Sequence, residues 1–212
     1  MTSFLTKQQF AAMLQAACLK IEANVDELNK LDAATGDGDH GTSIVKAVRA
    51  AAKTMLESPE EQTFKEALHN AGWAVMGEDC GSTSSLYGSF FMGMSDAITK
   101  EPLELQEVMK MFQSGLAGIM KHTKAKVGDK TMMDALIPAI EAMATETMQD
   151  KANFSEIFCA AAVAAAQGAA ATRDFAAKFG RARNLGERSV GHLDAGAISM
   201  SYIFDEFAKN FS

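Results

Sequence analysis

The chain has 212 residues, 48% hydrophobic and 22% charged, with a formal net charge of -7, long enough for one sizeable core. That acidic balance excludes a general nucleic-acid or anionic-membrane binder, because both need a basic face. With only 3 Pro and 8% aromatics, packing falls to Ala, Met and Leu, which lose little rotamer freedom in a helix, so the fold class is all-α.

Apolar residues recur at helical spacing along most of the chain. A first stripe, Phe10, Met13, Leu14, Ala17 and Ile21, opens on the capping-box pair Thr6 and Gln9 and continues through Val25, Leu28 and Leu31 to a break at Gly36. A second, Ile44, Val45, Val48 and Met55, stops before Pro59; a third opens on Thr63 and Glu66 and runs through Leu68, Ala71 and Val75 to Gly77. Leu86, Phe90, Phe91 and Met94 mark a fourth. Pro102 reads as the first turn of a fifth, where a missing N–H is harmless, ahead of Leu105, Val108, Met109, Phe112 and Leu116. A sixth covers about Met132 to Met148 with a bend expected near Pro138. The seventh, about Phe154 to Thr172, is largely Ala, and the last runs from about Gly196 to Phe211.

No Ser/Gly linker, low-complexity tract or repeat divides residues 1–212, which read as one domain. No apolar run near the ~20 residues of a bilayer span and no leader with a cleavage site stands out, so no membrane partner is expected. Cys18, Cys80 and Cys159 are odd in number and far apart. They argue against a disulfide scaffold or zinc knuckle and read as three buried thiols of a cytoplasmic protein.

Four connections depart from this background: Asp32–Gly41, Gly77–Ser85, Thr123–Thr131 and Arg173–Ala195. Each gathers Gly, Asp, Ser, Thr or Arg, and between antiparallel helices several of them would meet at one end of a bundle. The first contains Gly36-Asp37-Gly38-Asp39-His40-Gly41, which matches the dinucleotide pattern G-x-G-x-x-G. With Thr42 and Ser43 it is one residue from a P-loop. Both motifs follow a β-strand and bring bare phosphate against backbone N–H groups. Here a helical stripe precedes the turn and carboxylates occupy it, and two like charges about 4 Å apart repel by about 4 kcal/mol at an effective dielectric of 20. An EF-hand fails too, because neither its Gly nor its terminal Glu falls in place. Asp32, Asp37 and Asp39 instead offer three hard oxygen donors around one turn, a set suited to Mg²⁺ with phosphate on its far side. An ordinary Asp-capped turn is the alternative.

The second loop, Gly81-Ser82-Thr83-Ser84-Ser85, leads into a helix whose free N–H groups form an anion site or a plain cap. The third, Gly128-Asp129-Lys130-Thr131-Met132, is likewise a turn into a helix. The fourth carries Arg181, Arg183 and Arg188 with Gly186, Gly191 and Gly196, and a loop of that length in a compact domain is usually functional or disordered. A basic loop in an acidic chain points to a bound polyanion, and Mg²⁺-nucleotide would use the acidic and basic loops together.

The strings L-D-A-A-T-G-D-G-D-H-G (31–41), G-D-K-T-M-M-D (128–134) and G-R-A-R-N-L-G-E-R-S-V-G-H-L-D-A-G-A (180–197) resemble the nucleotide-binding subunit family of dihydroxyacetone kinases, DhaL, in the family's order and over nearly the whole chain. The resemblance implies a closed barrel of about eight antiparallel amphipathic helices with ADP or ATP and Mg²⁺ in loops at one end. By motif position Asp32, Asp37 and Asp39 would hold two Mg²⁺ ions, and His40, Gly41, Thr42 and Ser43 would line the nucleotide. Ser82 and Thr83 would donate to phosphate, Thr123 would contact the nucleotide and Met132 would pack on the base. Arg181 would reach in from the long loop, and Asp194, Ala195 and Gly196 would close the pocket. The family's second loop is commonly of Gly-Gly-x-Ser-Gly-Pro-Leu type, so Ser84 and Ser85 stand here in place of Gly-Pro.

The resemblance further implies that the ketose is held covalently by a His of a separate DhaK-type subunit. This chain would supply the phosphoryl donor, recharged in some versions by a DhaM-type phosphocarrier and in others by exchange with ATP. No nucleophile–base pair is evident outside the acidic loop, which agrees with that division. His40 reads as a phosphate contact more than a general base, His192 as a loop hydrogen-bonder, and His69 and His122 as ordinary helix residues. The substrate is dihydroxyacetone or another short ketose such as erythrulose. Rival readings are a nucleotide-sensing module without phosphotransfer and a fatty-acid kinase domain, the latter disfavoured by the short chain.

Overall fold

The computed structural model describes residues 4–211, and among these nine α-helices carry the chain. They are α1 (Lys7–Glu22), α2 (Val25–Ala33), α3 (His40–Leu56), α4 (Phe64–Met76), α5 (Ser82–Asp96), α6 (Leu105–Met120), α7 (Met133–Thr147), α8 (Phe154–Ala171) and α9 (Ala195–Lys209). Both expected capping boxes form. Thr6 accepts from the N–H of Gln9 and Thr63 from that of Glu66, while the Gln9 and Glu66 side chains return the bond to the cap. Two boundaries differ from the sequence reading. The first stripe is broken at Ala23–Asn24, where the Asn24 side chain donates to Lys20 O and ends α1, giving two helices in place of one. Pro102 lies outside α6, in a bend just before Leu103, which bridges to Leu5. The apolar spacing after it is that of α6, but its own backbone belongs to the connection.

Neighbour packing runs α1–α3–α4–α5–α6–α7–α8–α9, and α9 packs back against α1. The short α2 lies on α3 and α9. The interior is centred on Phe112 of α6, whose ring centroid is 5.9 Å from Phe158, 6.0 Å from Phe204 and 6.3 Å from Phe207. Phe10 joins through Phe207 at 5.9 Å and Phe64 through Phe10 at 5.5 Å. Each such pair adds about 0.5–1.5 kcal/mol beyond its buried area. The expectation that Ala, Met and Leu do the packing is therefore corrected at the centre. Of the aromatics, 13 are Phe, and a small set concentrated on one axis fills what alanine-rich walls leave open.

Close approach between helices comes from glycine more than from alanine. A Cβ on Gly118 of α6 would stand 2.4 Å from Ser89 O of α5, and one on Gly168 of α8 would stand 1.9 Å from Asp134 O of α7. The second contact has a cause in sequence. Pro138 lies inside α7 and, lacking an N–H, gives Asp134 O no donor four residues on; α8 seats its glycine against that carbonyl.

Residues 154–174, α8 with the turn after it, are long and apolar enough by length and composition to cross a membrane, with mean hydropathy 1.4. This corrects the expectation that no such run exists. Alanine dilutes the signal by eye, and Phe154, Ile157, Phe158, Ala161, Ala165 and Ala169 are buried in contact with neighbouring helices. Cys18 and Cys80 are buried as expected, but Cys159 is exposed on the outer face of α8.

Gly168→Ala tests the α7–α8 contact. Overpacking against a backbone carbonyl should destabilise by about 2–3 kcal/mol, outweighing the ~1 kcal/mol that Ala gains over Gly in a helix. Urea titration should show a lower midpoint at unchanged slope.

Candidate functional site

In an up-and-down ring every second connection lies at the same end. The loops entering α3, α5, α7 and α9 share one end, and each begins a helix there. They enclose a cleft of about 660 Å³ to which all four contribute residues, within the usual size of small-molecule sites. His40, Ser82, Met133 and Ala195, the first residues of these four helices, all line it. Four partly positive helix ends therefore face one space, an arrangement that favours an anion.

The first loop is shaped by Asp32. Its Oδ2 accepts from the N–H groups of Gly38 (2.8 Å) and Asp39 (3.1 Å), curling the chain over the end of α2. Gly38 sits at φ +79°, a conformation open to glycine. The turn brings carboxylate oxygens of Asp32, Asp37 and Asp39 within 4.8 Å of one another. Three like charges that close call for a cation, and among the described residues the side-chain cation paired with them is Arg181, whose Nη2 lies 2.9 Å from Asp37 Oδ2. Both partners of that pair are exposed, so it contributes little by itself. Hard oxygen donors, one side open to the cleft and a net negative charge fit a divalent cation such as Mg²⁺.

His40 opens α3. Its Nε2 lies 2.8 Å from Ser199 Oγ on α9, and that hydroxyl donates to Gly196 O. Burial pushes the imidazole below its usual pKa, against the pull of Asp32 and Asp39. Ser43, one turn on, lines the cleft. Thr42 and Gly41 do not. The Thr42 N–H and hydroxyl are both bonded to the Asn29 side chain on α2, and Gly41 is buried against Val25 O, where a Cβ would come within 2.3 Å. Asp37 stands outside the cleft wall, reaching it through its Arg181 partner.

The second loop shows what Ser84 and Ser85 do. Ser84 turns inward, donating to Glu78 O (2.6 Å) and accepting from the Cys80 N–H (3.1 Å), while Ser85 donates to Ser82 O (3.1 Å). The Ser84 hydroxyl braces the turn from beneath, while Ser85 stays exposed on the cleft wall. Gly81, at φ +56°, caps α5 without a side-chain bond, leaving Ser82 and Thr83 on the cleft surface. Thr123 and Met132 line it from the third connection and Arg181, Asp194, Ala195 and Gly196 from the fourth; Arg183 and Arg188 do not reach it.

Several lining residues were not singled out by sequence: Thr35, Asp79, Cys80, Tyr87, His122, Lys130 and Phe179. His122 lies just past the end of α6 instead of within the helix. Lys130 sits inside the G-D-K-T string, so a signal was present, but an isolated Lys in a turn carries no role until its partners are known. Asp194 is the strongest electrostatic feature of the wall. Burial pushes its carboxyl up to about 7, with Asp134 and Asp32 adding to the rise while the Ala197 N–H it caps and Lys130 oppose it.

The described chain is all-helical, with an acidic cluster beside a cleft that four helix N-termini line, an arrangement whose chemistry fits a metal-bridged polyanion. A family model described as the DAK2 domain matches residues 34–209, and the chain belongs to that family. It is 36% identical over 206 residues to the ADP-binding subunit DhaL of PEP-dependent dihydroxyacetone kinase 2 from Listeria innocua, covering 95% of this chain and 93% of that one. It is 36% identical to the L-erythrulose kinase of Pectobacterium atrosepticum, over 92% of this chain and 33% of that one. The crystal structure of the dihydroxyacetone kinase from C. freundii in complex with AMP-PNP and Mg²⁺ superposes with a TM-score of 0.71 at 23% identity, covering 94% of this chain. This chain spans 33% of that larger one, and the likeness is one of fold.

The Asp194 carboxyl holds its proton to about pH 7 when folded, against about 3.8 without the fold. Between those values the folded state binds more protons than the unfolded, so stability falls as pH rises from about 4 to about 7 and is flat above. Asp194→Asn retains a good N-cap and lacks the titration. Its melting-temperature advantage over wild type should grow across that window, and an advantage independent of pH would refute the assignment.

Proposed function

We propose that the chain is the Mg-nucleotide subunit of a dihydroxyacetone-type kinase. It would hold ADP or ATP and pass the terminal phosphoryl group to a short ketose presented by a separate DhaK-type subunit. The observation that carries the reading is the meeting, at one cleft of a DAK2-family chain, of three carboxylates within 4.8 Å, two of them on the cleft wall, with four helix N-termini and Arg181.

In this reading Asp32, Asp37 and Asp39 would hold two Mg²⁺ ions, which would supply positive charge against the charge developing in transfer. The start of α5, with Ser82 and Thr83, donates to phosphate oxygens. Asp32 is oriented for its task by the Gly38 and Asp39 N–H groups, and His40 is fixed by Ser199 as a contact facing the same space. Arg181, which pairs with Asp37, would be free to contact phosphate with the carboxylates engaged by the cation. Met132, with Thr123 and the Asp194–Gly196 turn, bounds the cleft and packs on the base. Thr42, engaged by Asn29, acts on the path of the loop instead of on the ligand. Phosphoryl transfer asks mainly for positioning and electrostatic stabilisation, which these groups supply, leaving the ketose and its base to the partner. A DhaM-type phosphocarrier would recharge the nucleotide in place. The similarity to an L-erythrulose kinase supports erythrulose as the alternative ketose. The three unpaired thiols suit the reducing cytoplasm.

The test is to purify the chain, quantify bound Mg-ADP, then add a DhaK-type subunit, dihydroxyacetone and a phosphoryl donor. Turnover that requires this chain is expected; absence of nucleotide binding would overturn the proposal. Asp37→Asn should weaken Mg-ADP binding by at least about tenfold, about 1.4 kcal/mol, with helix content by circular dichroism unchanged. Unaltered affinity would remove Asp37 from the metal set.

A further inference from the structure

The basic loop crosses the cleft mouth with Phe179, Gly180, Arg181 and Ala182. A segment of about 20 residues needs restraint to hold one geometry, because ordering it opposes a large conformational entropy. Part of that restraint is internal. The Gly191 N–H donates to Arg173 O (2.7 Å), the Ala177 N–H to Ser189 Oγ (2.8 Å) and Ser189 Oγ to Gly186 O (2.6 Å). These bonds shape the loop without tying it to the opposite wall.

The tie comes from two adjacent residues of the turn into α7. Asp129 is 3% exposed; its carboxylate accepts from the Lys126 N–H (3.0 Å) and from Lys178 Nζ (2.7 Å), and its carbonyl accepts from the Lys178 N–H (3.2 Å). Lys130 is 2% exposed, and its ammonium donates to the carbonyls of Thr172 and His192, one at each end of the basic loop. Asp134, Asp174 and Asp194 surround that ammonium. Lys130 takes φ +60°, a left-handed conformation that a side chain disfavours and that persists where its surroundings over-determine it.

We infer that Asp129 and Lys130 are positioning residues forming a clasp: Lys130 gathers both ends of the basic loop, Asp129 grips it through Lys178 three residues before Arg181, and together they hold Arg181 over the cleft and set how long a nucleotide stays bound. The inference rests on the nucleotide reading above. Release requires the Arg181 segment to lift, so the clasp acts on dissociation more than on association.

Lys178 gives the cleanest test, because its side chain is 59% exposed while the Asp129 it grips is 4% exposed. Lys178→Ala should accelerate release of a fluorescent ADP analogue in Mg²⁺ by about three- to tenfold with the association rate little changed. Without nucleotide it should hasten tryptic cleavage after Arg181, Arg183 or Arg188. Lys178→Arg, which keeps charge and donor, should restore both. Lys130→Met, with two carbonyls left without their donor, should produce the larger effect in the same direction. Unchanged release and cleavage in Lys178→Ala, or failure of Lys178→Arg to restore them, would overturn the clasp. Wild-type protein that binds no Mg-nucleotide would overturn the function proposed above and the residence-time half of this inference. The cleavage comparison would still decide whether the clasp holds the loop.

Discussion

The site depends on the alternation of helix direction around the ring. Because the connections into α3, α5, α7 and α9 share one end, four helix N-termini open onto one cleft. Each carries about half a positive charge of aligned dipole, so together they amount to about two. The acidic loop stands at the rim of this field. Asp194 answers one helix end directly, accepting from the N–H of Ala197 in α9, while Asp134 braces the turn before α7, accepting from the N–H groups of Gly128 and Thr131. The starts of α3, α5 and α7 have no side-chain cap. Negative residues thus serve two purposes in one place, closing some helix ends and, at Asp32, Asp37 and Asp39, presenting charge that a metal would neutralise.

The rest of the fold holds those four ends at fixed separation. The Phe112-centred aromatic axis reaches α1, α5, α8 and α9. Glycine contacts such as Gly118 on Ser89 O and Gly168 on Asp134 O set helices closer than any side chain would allow. The second of these links core to site, since Asp134 contributes its backbone carbonyl to the α7–α8 contact and its carboxylate to the turn that carries Lys130.

Much of this was legible in the chain. Helical periodicity, two capping boxes and four polar loops located the elements and the end where chemistry would gather, and the acidic turn was read correctly as a cluster of three carboxylates. The misreadings share a cause. Apolar spacing continues through Asn24, so the stripe did not reveal that a side-chain bond to Lys20 O splits it. Pro102 precedes an amphipathic pattern, yet its neighbour pairs with Leu5, nearly a hundred residues away. Thr42 and Ser43 are equivalent in sequence, and only the position of Asn29 on α2 decides which faces the cleft. Ser84 and Ser85 stand where the resembled family has Gly-Pro, and only the fold shows that their hydroxyls bond back within the loop and the turn it opens.

The sequence by itself determined the all-α class, the number and order of the polar loops, and the chemical type of each: acidic, hydroxyl-rich, turn-forming and basic. Those properties follow from local periodicity and composition, which nearest neighbours along the chain suffice to express. Tertiary structure alone decided which loop residues face one another. The buried ammonium of Lys130 between Thr172 and His192, the Lys178 grip on Asp129, the Arg181–Asp37 pair and the His40–Ser199 contact join residues 40 to 160 positions apart. Such pairs exist only once helix packing has paid the entropy of bringing distant loops together, and no local pattern can encode them.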